Sequence, residues 1–240
     1  MVDQVQDVLT YTLFPMVSII VGGWLATWRP PSTAVQSMIQ HFAAGVVFAA
    51  VAAELLPEAL GEEQPAALAI GFAIGVAAML LLKQVTDRLG PAEEEASGSA
   101  KRLIASVGVN VIVDGLLIGV AVAAGSTTGA LITIALTIEV LFLGLTVSVA
   151  MLNEGTSQAN VLVTSAGLAL LLGVGAVLGV VLFGDLTGAA YVAVLAFAMA
   201  SLLYLVTEEL LTEAHELEET TVGTAMFFVG FLLLLMIETI

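Results

Sequence analysis

Two acidic residues stand inside long apolar stretches of this sequence, Asp114 and Glu139. If those stretches cross a membrane, each carboxylate lies near the middle, where a charge costs ~2.5–3.5 kcal/mol on insertion scales. Such residues face a cavity or each other, and converging carboxylates repel unless protons or a cation neutralise them. Asn110 precedes Asp114 by four positions, so both project from one helix face. These three residues predict a central cation site built from oxygen donors.

Two further acidic pairs, Glu54 with Glu58 and Glu209 with Glu213, have the same four-residue spacing. On a helix this spacing places two carboxylates about 6 Å apart on one stripe. Because both pairs lie toward the ends of apolar stretches, solvation in the headgroup region remains an alternative to ligation. For Asp114 and Glu139 the alternative is a protonated acid that is hydrogen-bonded to a neighbouring helix. For Asn110 alone the alternative is an interhelical hydrogen bond rather than ligation.

The two histidines have different predicted roles. His41 lies one or two turns into an apolar stretch and is interpreted as structural. His215 follows Glu213 at the end of another stretch, where a gate ligand and a purely structural role are both open.

The composition excludes an ordinary soluble protein. Hydrophobic residues make up 60% of the chain and charged residues 11%, with a mean hydropathy of +1.10, whereas soluble domains carry about 25% charged residues. A helix that crosses the hydrocarbon core needs ~20 apolar residues. Breaks at Gly, Pro and charged clusters predict one all-α transmembrane domain, residues 1–240, with eight spans at roughly 9–28, 34–60, 66–86, 102–124, 129–152, 159–183, 187–214 and 221–240.

The five basic residues predict the orientation. With eight spans, all five fall in or beside the first and third loops: Arg29, Lys83, Arg88, Lys101 and Arg102. The positive-inside rule places those loops in the cytoplasm and both termini outside the cell membrane. The longest break, about 87–100, is acidic and contains Pro and Gly, which predicts a mobile cytoplasmic loop. The first residues lack the basic region of a signal peptide, so we expect the first helix to be retained.

The net charge of −16 argues against nucleic acid or an anionic surface as a partner. The acidic excess indicates either a cation-attracting surface or adaptation to high salt, and we favour salt adaptation for the acidic clusters in the loops. With no cysteine there is no disulfide or thiolate site. The sequence shows no phosphate-binding loop, nucleophile elbow or zinc-protease helix. We therefore expect no enzyme and no bound cofactor.

A short internal repeat links the second and seventh spans. Residues 54–59 read ELLPEA and residues 209–214 read ELLTEA. Because the two spans run in opposite directions, spans 1–3 and 6–8 are predicted to form an inverted repeat around spans 4 and 5. That architecture is typical of secondary transporters, although a six-residue match also arises by coincidence.

These motifs resemble a known family. Residues 41–59 resemble the second helix of the ZIP (Zrt/Irt-like) metal transporters, which typically reads FAAGV followed by (H/E)LLPEA. Residues 204–216 resemble the family's seventh helix, commonly EELLPEAH. Eight spans, outside termini and a variable loop after the third span also match. The resemblance implies import of divalent metal ions toward the cytoplasm by alternating access.

The resemblance also implies a metal centre between the fourth and fifth spans. The family's pattern there is HNxxEG or HNxxDG; here Asp114 and Gly115 match, but Asn110 replaces the histidine. On the fifth span Glu139 takes the first polar position and Leu143 replaces a later acid. The family's second and seventh helices contribute along the path. They implicate Glu54 and Glu58 on the outer approach, and Glu208, Glu209, Glu213 and His215 toward the inner exit.

The departures from the family pattern bear on the transported ion. Zinc prefers imidazole and thiolate ligands, whereas this set offers mainly oxygen, which suits Mn²⁺, Fe²⁺ or Mg²⁺. Leu143 argues against a two-metal site. The alternative function is a membrane protein of the same fold that has lost transport and serves as a partner or sensor. The partners are divalent ions and the lipid bilayer, and homodimerisation is left open.

Overall fold

The computed structural model describes residues 2–89, 99–216 and 220–238, and across these ranges every regular element is helical. Two π-helical segments, Val51–Leu55 and Leu205–Leu210, interrupt the chain of α-helices. The α-helices are α1 (Val2–Trp28), α2 (Thr33–Ala50), α3 (Leu56–Gly61), α4 (Pro65–Leu89), α5 (Ser99–Ala124), α6 (Ser126–Asn153), α7 (Gln158–Phe183), α8 (Gly188–Tyr204), α9 (Leu211–Glu216) and α10 (Thr221–Glu238).

Eight stretches of the described chain are long and apolar enough to cross a membrane, which confirms the predicted all-α, multi-pass membrane protein. The second span joins α2, the first π-helical segment and α3, and the seventh joins α8, the second segment and α9. The third loop is shorter at both ends than the predicted 87–100, because α4 continues to Leu89 and α5 begins at Ser99. Residues 90–98 of that predicted loop lie outside the described residues.

Short turns reverse the chain between successive spans. Ser32 and Ser157 cap α2 and α7, their hydroxyl oxygens accepting from the backbone nitrogens of Val35 and Asn160 at 3.4 and 3.3 Å. Gly155 has a φ of 80°, which glycine adopts without steric cost in the turn between α6 and α7. Arg29, Lys83 and Lys101 consequently lie at one end of the bundle, which we call the basic end.

The fifth span forms the centre of the bundle. It is the most buried of the eight spans, whereas the third and eighth are the least buried. Those two outer spans instead expose large apolar side chains such as Ile70, Leu81, Phe228 and Leu232. An apolar outer surface of this extent is expected where lipid is the solvent.

The helix contacts come in matched pairs. α2 packs on α10 as α4 packs on α8, and α1 packs on α6 as α5 packs on α7. An inverted repeat that relates spans 1–3 to spans 6–8, and span 4 to span 5, would produce these same pairs. The inverted repeat itself stays a prediction.

Both π-helical segments carry acids that the sequence analysis singled out. Glu54 lies in the first segment, and Glu208 and Glu209 lie in the second. Pro57 follows the first segment and has no N–H to continue the α-helical bonding. Just after the second segment, the Thr212 hydroxyl on α9 donates to the carbonyl oxygen of Thr207 within the segment at 3.2 Å. Such segments shift the register of the helix and are frequent at functional sites.

Close contact between α5 and α7 depends on glycine. A Cβ atom at Gly115 would overlap the carbonyl oxygen of Leu172, and one at Gly175 would overlap that of Ile112. The two backbones can therefore approach beside Asp114, as is common for small residues in membrane helices.

Candidate functional site

A cavity of about 210 Å³ lies at the basic end, between α4, α5, α6, α8, the second π-helical segment and α9. Its lining combines apolar side chains with amide, hydroxyl, amino and carboxylate groups. The polar lining residues are Lys83, Ser106, Asn110, Tyr204, Glu208, Glu209 and Glu213, and the apolar ones include Met79, Leu103, Val107 and Leu143. Four of the predicted site residues are thus brought to one cavity.

Asn110 and Glu209 meet at the inner part of this cavity. The Asn110 Nδ2 donates a hydrogen bond to the Glu209 Oε2 at 2.8 Å. Asn110 is buried and Glu209 is partly buried. Since the amide nitrogen is occupied by a carboxylate, the amide carbonyl oxygen is the atom that Asn110 could offer to a cation.

Asp114 and Glu139 lie about one helical turn deeper than the cavity. Asn110 on α5 and Leu143 on α6 line it, and each acid lies four residues farther from the basic end, or about 6 Å along its helix. Asp114 is 2% exposed and Glu139 is fully buried. The antiparallel course of α5 and α6 therefore brings the two mid-membrane acids to the same depth.

The two buried acids are poorly satisfied by the protein. Both carboxylate oxygens of Glu139 and the Oδ2 of Asp114 are buried without a hydrogen-bond partner among the described residues. Asp114, Glu209 and Glu213 are close enough to Glu139 for their charges to act on its carboxylate. Buried, unpaired charge is strongly unfavourable, so this region requires protons or a cation.

Protein side chains alone do not complete a metal site in this conformation. Within the described ranges, no three His, Asp or Glu side chains are grouped closely enough to hold a metal ion. An ion at Asp114 and Glu139 would therefore need the Asn110 carbonyl, water or a shift of Glu209 to fill its coordination sphere. A set of oxygen ligands completed by water suits Mn²⁺ or Mg²⁺. It suits Zn²⁺ less well, because structural zinc sites are closed and rich in nitrogen and sulfur ligands.

An ion pair between α4 and the second π-helical segment lies at the cavity mouth. Lys83 Nζ on α4 and Glu208 Oε2 on the second π-helical segment are 3.4 Å apart, with side chains 49% and 50% exposed. At that exposure the pair contributes little to stability. It places a positive charge among the carboxylates that line the cavity.

Glu213 links the seventh span to α2. Gln40 Nε2 donates to Glu213 Oε2 at 2.6 Å, and one turn earlier the Ser37 hydroxyl donates to the Ala214 carbonyl oxygen at 3.0 Å. His215, beside them, contacts His41 with ring centroids 5.2 Å apart and an interplanar angle of 83°. Two of the four predicted exit residues, Glu213 and His215, therefore pack against a polar stripe of α2.

The outer acids are far from the buried pair. Thr128 donates to Glu54 Oε2 at 3.0 Å, and the Tyr191 hydroxyl donates to Glu58 Oε1 at 3.0 Å. The two acids of this pair thus contact different helices, as do Glu209 and Glu213. Along α6, the buried residues Ile132, Ala135 and Leu136 separate Thr128 from Glu139.

Several residues of the site were not predicted as functional. Gln40 and Thr128 contact acids named above, and Lys83 was used only to assign orientation. The α2 residues could have been recognised from the sequence, since Ser37, Gln40 and His41 form a polar stripe at helical spacing within an apolar span. Thr128 carries no such signal, because hydroxyl residues are common in membrane helices.

Compared with known protein families and with curated proteins, the sequence matches no family model and no individual protein.

Proposed function

We propose that this chain transports divalent metal cations across the cell membrane toward the cytoplasm, as a ZIP-like transporter that works by alternating access. One observation carries the proposal: Asp114 and Glu139 are buried mid-membrane, with carboxylate oxygens that have no protein partner in the described chain, directly beneath an acid-lined cavity. Structural acids in a membrane are normally paired with a donor. A pair left without donors fits a site whose partner arrives and leaves.

The proposed central site consists of Asp114, Glu139 and the carbonyl oxygen of Asn110. A divalent cation offsets the repulsion between the two carboxylates and replaces the hydrogen bonds they lack. Glu209, already bonded to Asn110 at 2.8 Å, can accept the ion as it moves toward the cavity. Glu208, Glu213 and His215 then provide further donors along the exit.

The described conformation corresponds to the inward-open state in this proposal. The cavity opens at the basic end, which the positive-inside rule assigns to the cytoplasm. On the other side, the buried α6 residues Ile132, Ala135 and Leu136 close the path from Glu54 to Glu139. In the outward-open state this apolar layer has to separate while the cavity closes, so that Glu54 and Glu58 collect ions from outside.

The donor set favours harder ions. Two carboxylates and an amide carbonyl provide only oxygen ligands. Such a site favours Mn²⁺, Fe²⁺ and Mg²⁺ more than a site with histidine ligands would. Zn²⁺ remains a substrate candidate, because the Irving–Williams order raises its affinity at most sites.

Uptake into proteoliposomes tests the proposal. Purified protein is reconstituted with a metal-sensitive dye inside, and Mn²⁺, Fe²⁺, Zn²⁺ and Mg²⁺ are added outside. We expect saturable uptake of at least one ion, and its loss in Asp114→Asn. The matched control is Glu62→Gln, an exposed acid at the opposite end of the bundle, which should transport normally. No uptake of any ion, together with metal-dependent stabilisation, would replace transport with the partner or sensor function.

A further inference from the structure

The only two histidines of the chain contact each other although they come from different halves of the sequence. His41 lies on α2 and His215 on α9, near the basic end. Their rings are T-shaped with centroids 5.2 Å apart. His41 is 2% exposed, whereas His215 is exposed. A ligand can therefore reach the pair from the His215 side.

The hydrogen bonding of His41 defines which nitrogen is available. His41 Nδ1 lies 2.9 Å from the Ser37 carbonyl oxygen, which can only accept a hydrogen bond. In the neutral ring Nδ1 therefore carries the hydrogen and Nε2 carries the lone pair. Nε2 is buried and has no hydrogen-bond partner among the described residues. A backbone carbonyl on one ring nitrogen and an open second nitrogen is the usual state of a metal-ligating histidine.

The ring separation agrees with shared coordination. With a zinc–nitrogen bond of ~2.0–2.1 Å and tetrahedral angles, the centroids of two imidazoles bound to one ion lie about 5 Å apart. The observed centroid separation of 5.2 Å is close to this value, so the spacing of the two rings matches that of a shared ion.

Residues close in sequence to the two histidines carry further oxygen atoms. The Gln40 Oε1 is buried without a partner in the described chain. The Gln40 Nε2 holds the Glu213 carboxylate at 2.6 Å, two residues before His215. Since no group of three His, Asp or Glu side chains is preassembled in the described ranges, water would supply the remaining ligands.

We propose that His41 and His215 form a second metal site that binds a borderline transition-metal ion, such as Zn²⁺, Ni²⁺ or Co²⁺, between α2 and α9. It differs from the central site by its two nitrogen donors, which favour these ions over Mn²⁺ and Mg²⁺. An ion there links the second span to the seventh at the basic end. The binding itself does not depend on the transport function proposed above.

The test exploits the presence of only two histidines. Full-length protein is labelled with ¹⁵N in histidine alone and purified through a tag that contains no histidine. Zn²⁺ is titrated while the imidazole nitrogen resonances are recorded by NMR. We expect both rings to shift together and to saturate at one Zn²⁺ per pair, whereas Mg²⁺ at the same concentration leaves them unchanged. Rings that do not respond to Zn²⁺ would overturn the site.

Two variants separate this site from the central one. His215→Ala changes an exposed residue, and it should weaken the Zn²⁺ response of His41 at least 10-fold, as expected for loss of a ligand. Asp114→Asn should leave both histidine responses intact even if it abolishes transport. An unchanged His41 response in His215→Ala, or loss of both responses in Asp114→Asn, would refute a separate histidine site.

Discussion

Asn110 on the fourth span donates its amide hydrogen to Glu209 on the seventh span, with 2.8 Å between Nδ2 and Oε2. The contact joins α5 to the second π-helical segment at the inner part of the cavity. It orients the side chain so that one amide atom is used by the protein and the carbonyl oxygen is left for a cation. Asn110 thus joins the helix that carries Asp114 to the acids that line the cavity.

Replacing Asn110 with histidine should change ion preference. An imidazole nitrogen is a softer donor than an amide oxygen, so the Asn110→His variant should raise the preference for Zn²⁺ over Mn²⁺ by ~10-fold, or ~1.4 kcal/mol. Competition binding to purified wild type and variant measures this ratio. An unchanged ratio would mean that Asn110 is not a ligand and that its role is to hold Glu209.

Neutralising either central acid should abolish metal-dependent stabilisation while sparing the fold. Asp114→Asn and Glu139→Gln each remove one of two buried carboxylates that have unpartnered oxygens. Without metal we expect each variant to melt at or above the wild-type temperature, because a buried charge has gone. Thermal unfolding with and without Mn²⁺ gives both values, and Glu62→Gln serves as the surface control. Normal Mn²⁺ stabilisation in both variants would exclude the central site.

Removing the positive charge at the cavity mouth should strengthen cation binding. Lys83 lies among the cavity carboxylates and pairs with Glu208 at 3.4 Å. Lys83→Met should raise the affinity for divalent cations roughly 5-fold, equivalent to about 1 kcal/mol, at low ionic strength. The gain should shrink in high salt because exposed charges are screened. Lys101→Met, an exposed lysine at the same end, should have a smaller effect, and equal effects would contradict a local role for Lys83.

A methyl group between α5 and α7 should disturb the central site. The Gly115→Ala Cβ would overlap the Leu172 carbonyl oxygen, so the helices must separate beside Asp114. We expect a loss of about 1–3 kcal/mol in stability, as for other overpacked sites, and weaker Mn²⁺ binding. Gly108→Ala on the same helix would make only ordinary contacts, the nearest at 3.7 Å to Leu171. It should therefore be neutral in both thermal unfolding and Mn²⁺ binding.

Cysteine labelling can establish the orientation, since the chain has no cysteine of its own. Thr33 and Gln64 are exposed and lie at opposite ends of the second span. By the positive-inside rule, Thr33→Cys should react with a membrane-impermeant maleimide only from the cytoplasmic side, and Gln64→Cys only from outside. The reverse pattern would invert the assignment of the cavity and the proposed direction of transport.

The sequence was sufficient to predict the membrane architecture. A helix needs ~20 apolar residues to cross the hydrocarbon core, so the number of spans and their approximate positions follow from composition and from the breaks at Gly, Pro and charge. The ends of the third loop were placed less well, because α4 and α5 continue into polar sequence. The depth of Asp114 and Glu139 follows in the same way, because position along a membrane helix determines distance from the interface. The π-helical segments were not predicted, since one extra residue per turn leaves no clear mark on an apolar pattern.

Which polar groups meet was decided only by the tertiary structure. Asn110 bonds to Glu209, Gln40 to Glu213, and His41 contacts His215, all between residues far apart in sequence. Such contacts depend on the rotation of each helix about its axis and on the register of its neighbour, and two π-helical segments change both. Four-residue spacing placed Glu209 and Glu213 on one helix face, but the packing of α5 and α2 directed them to different partners. The histidine pair, for the same reason, could be recognised only once α2 and α9 were seen side by side.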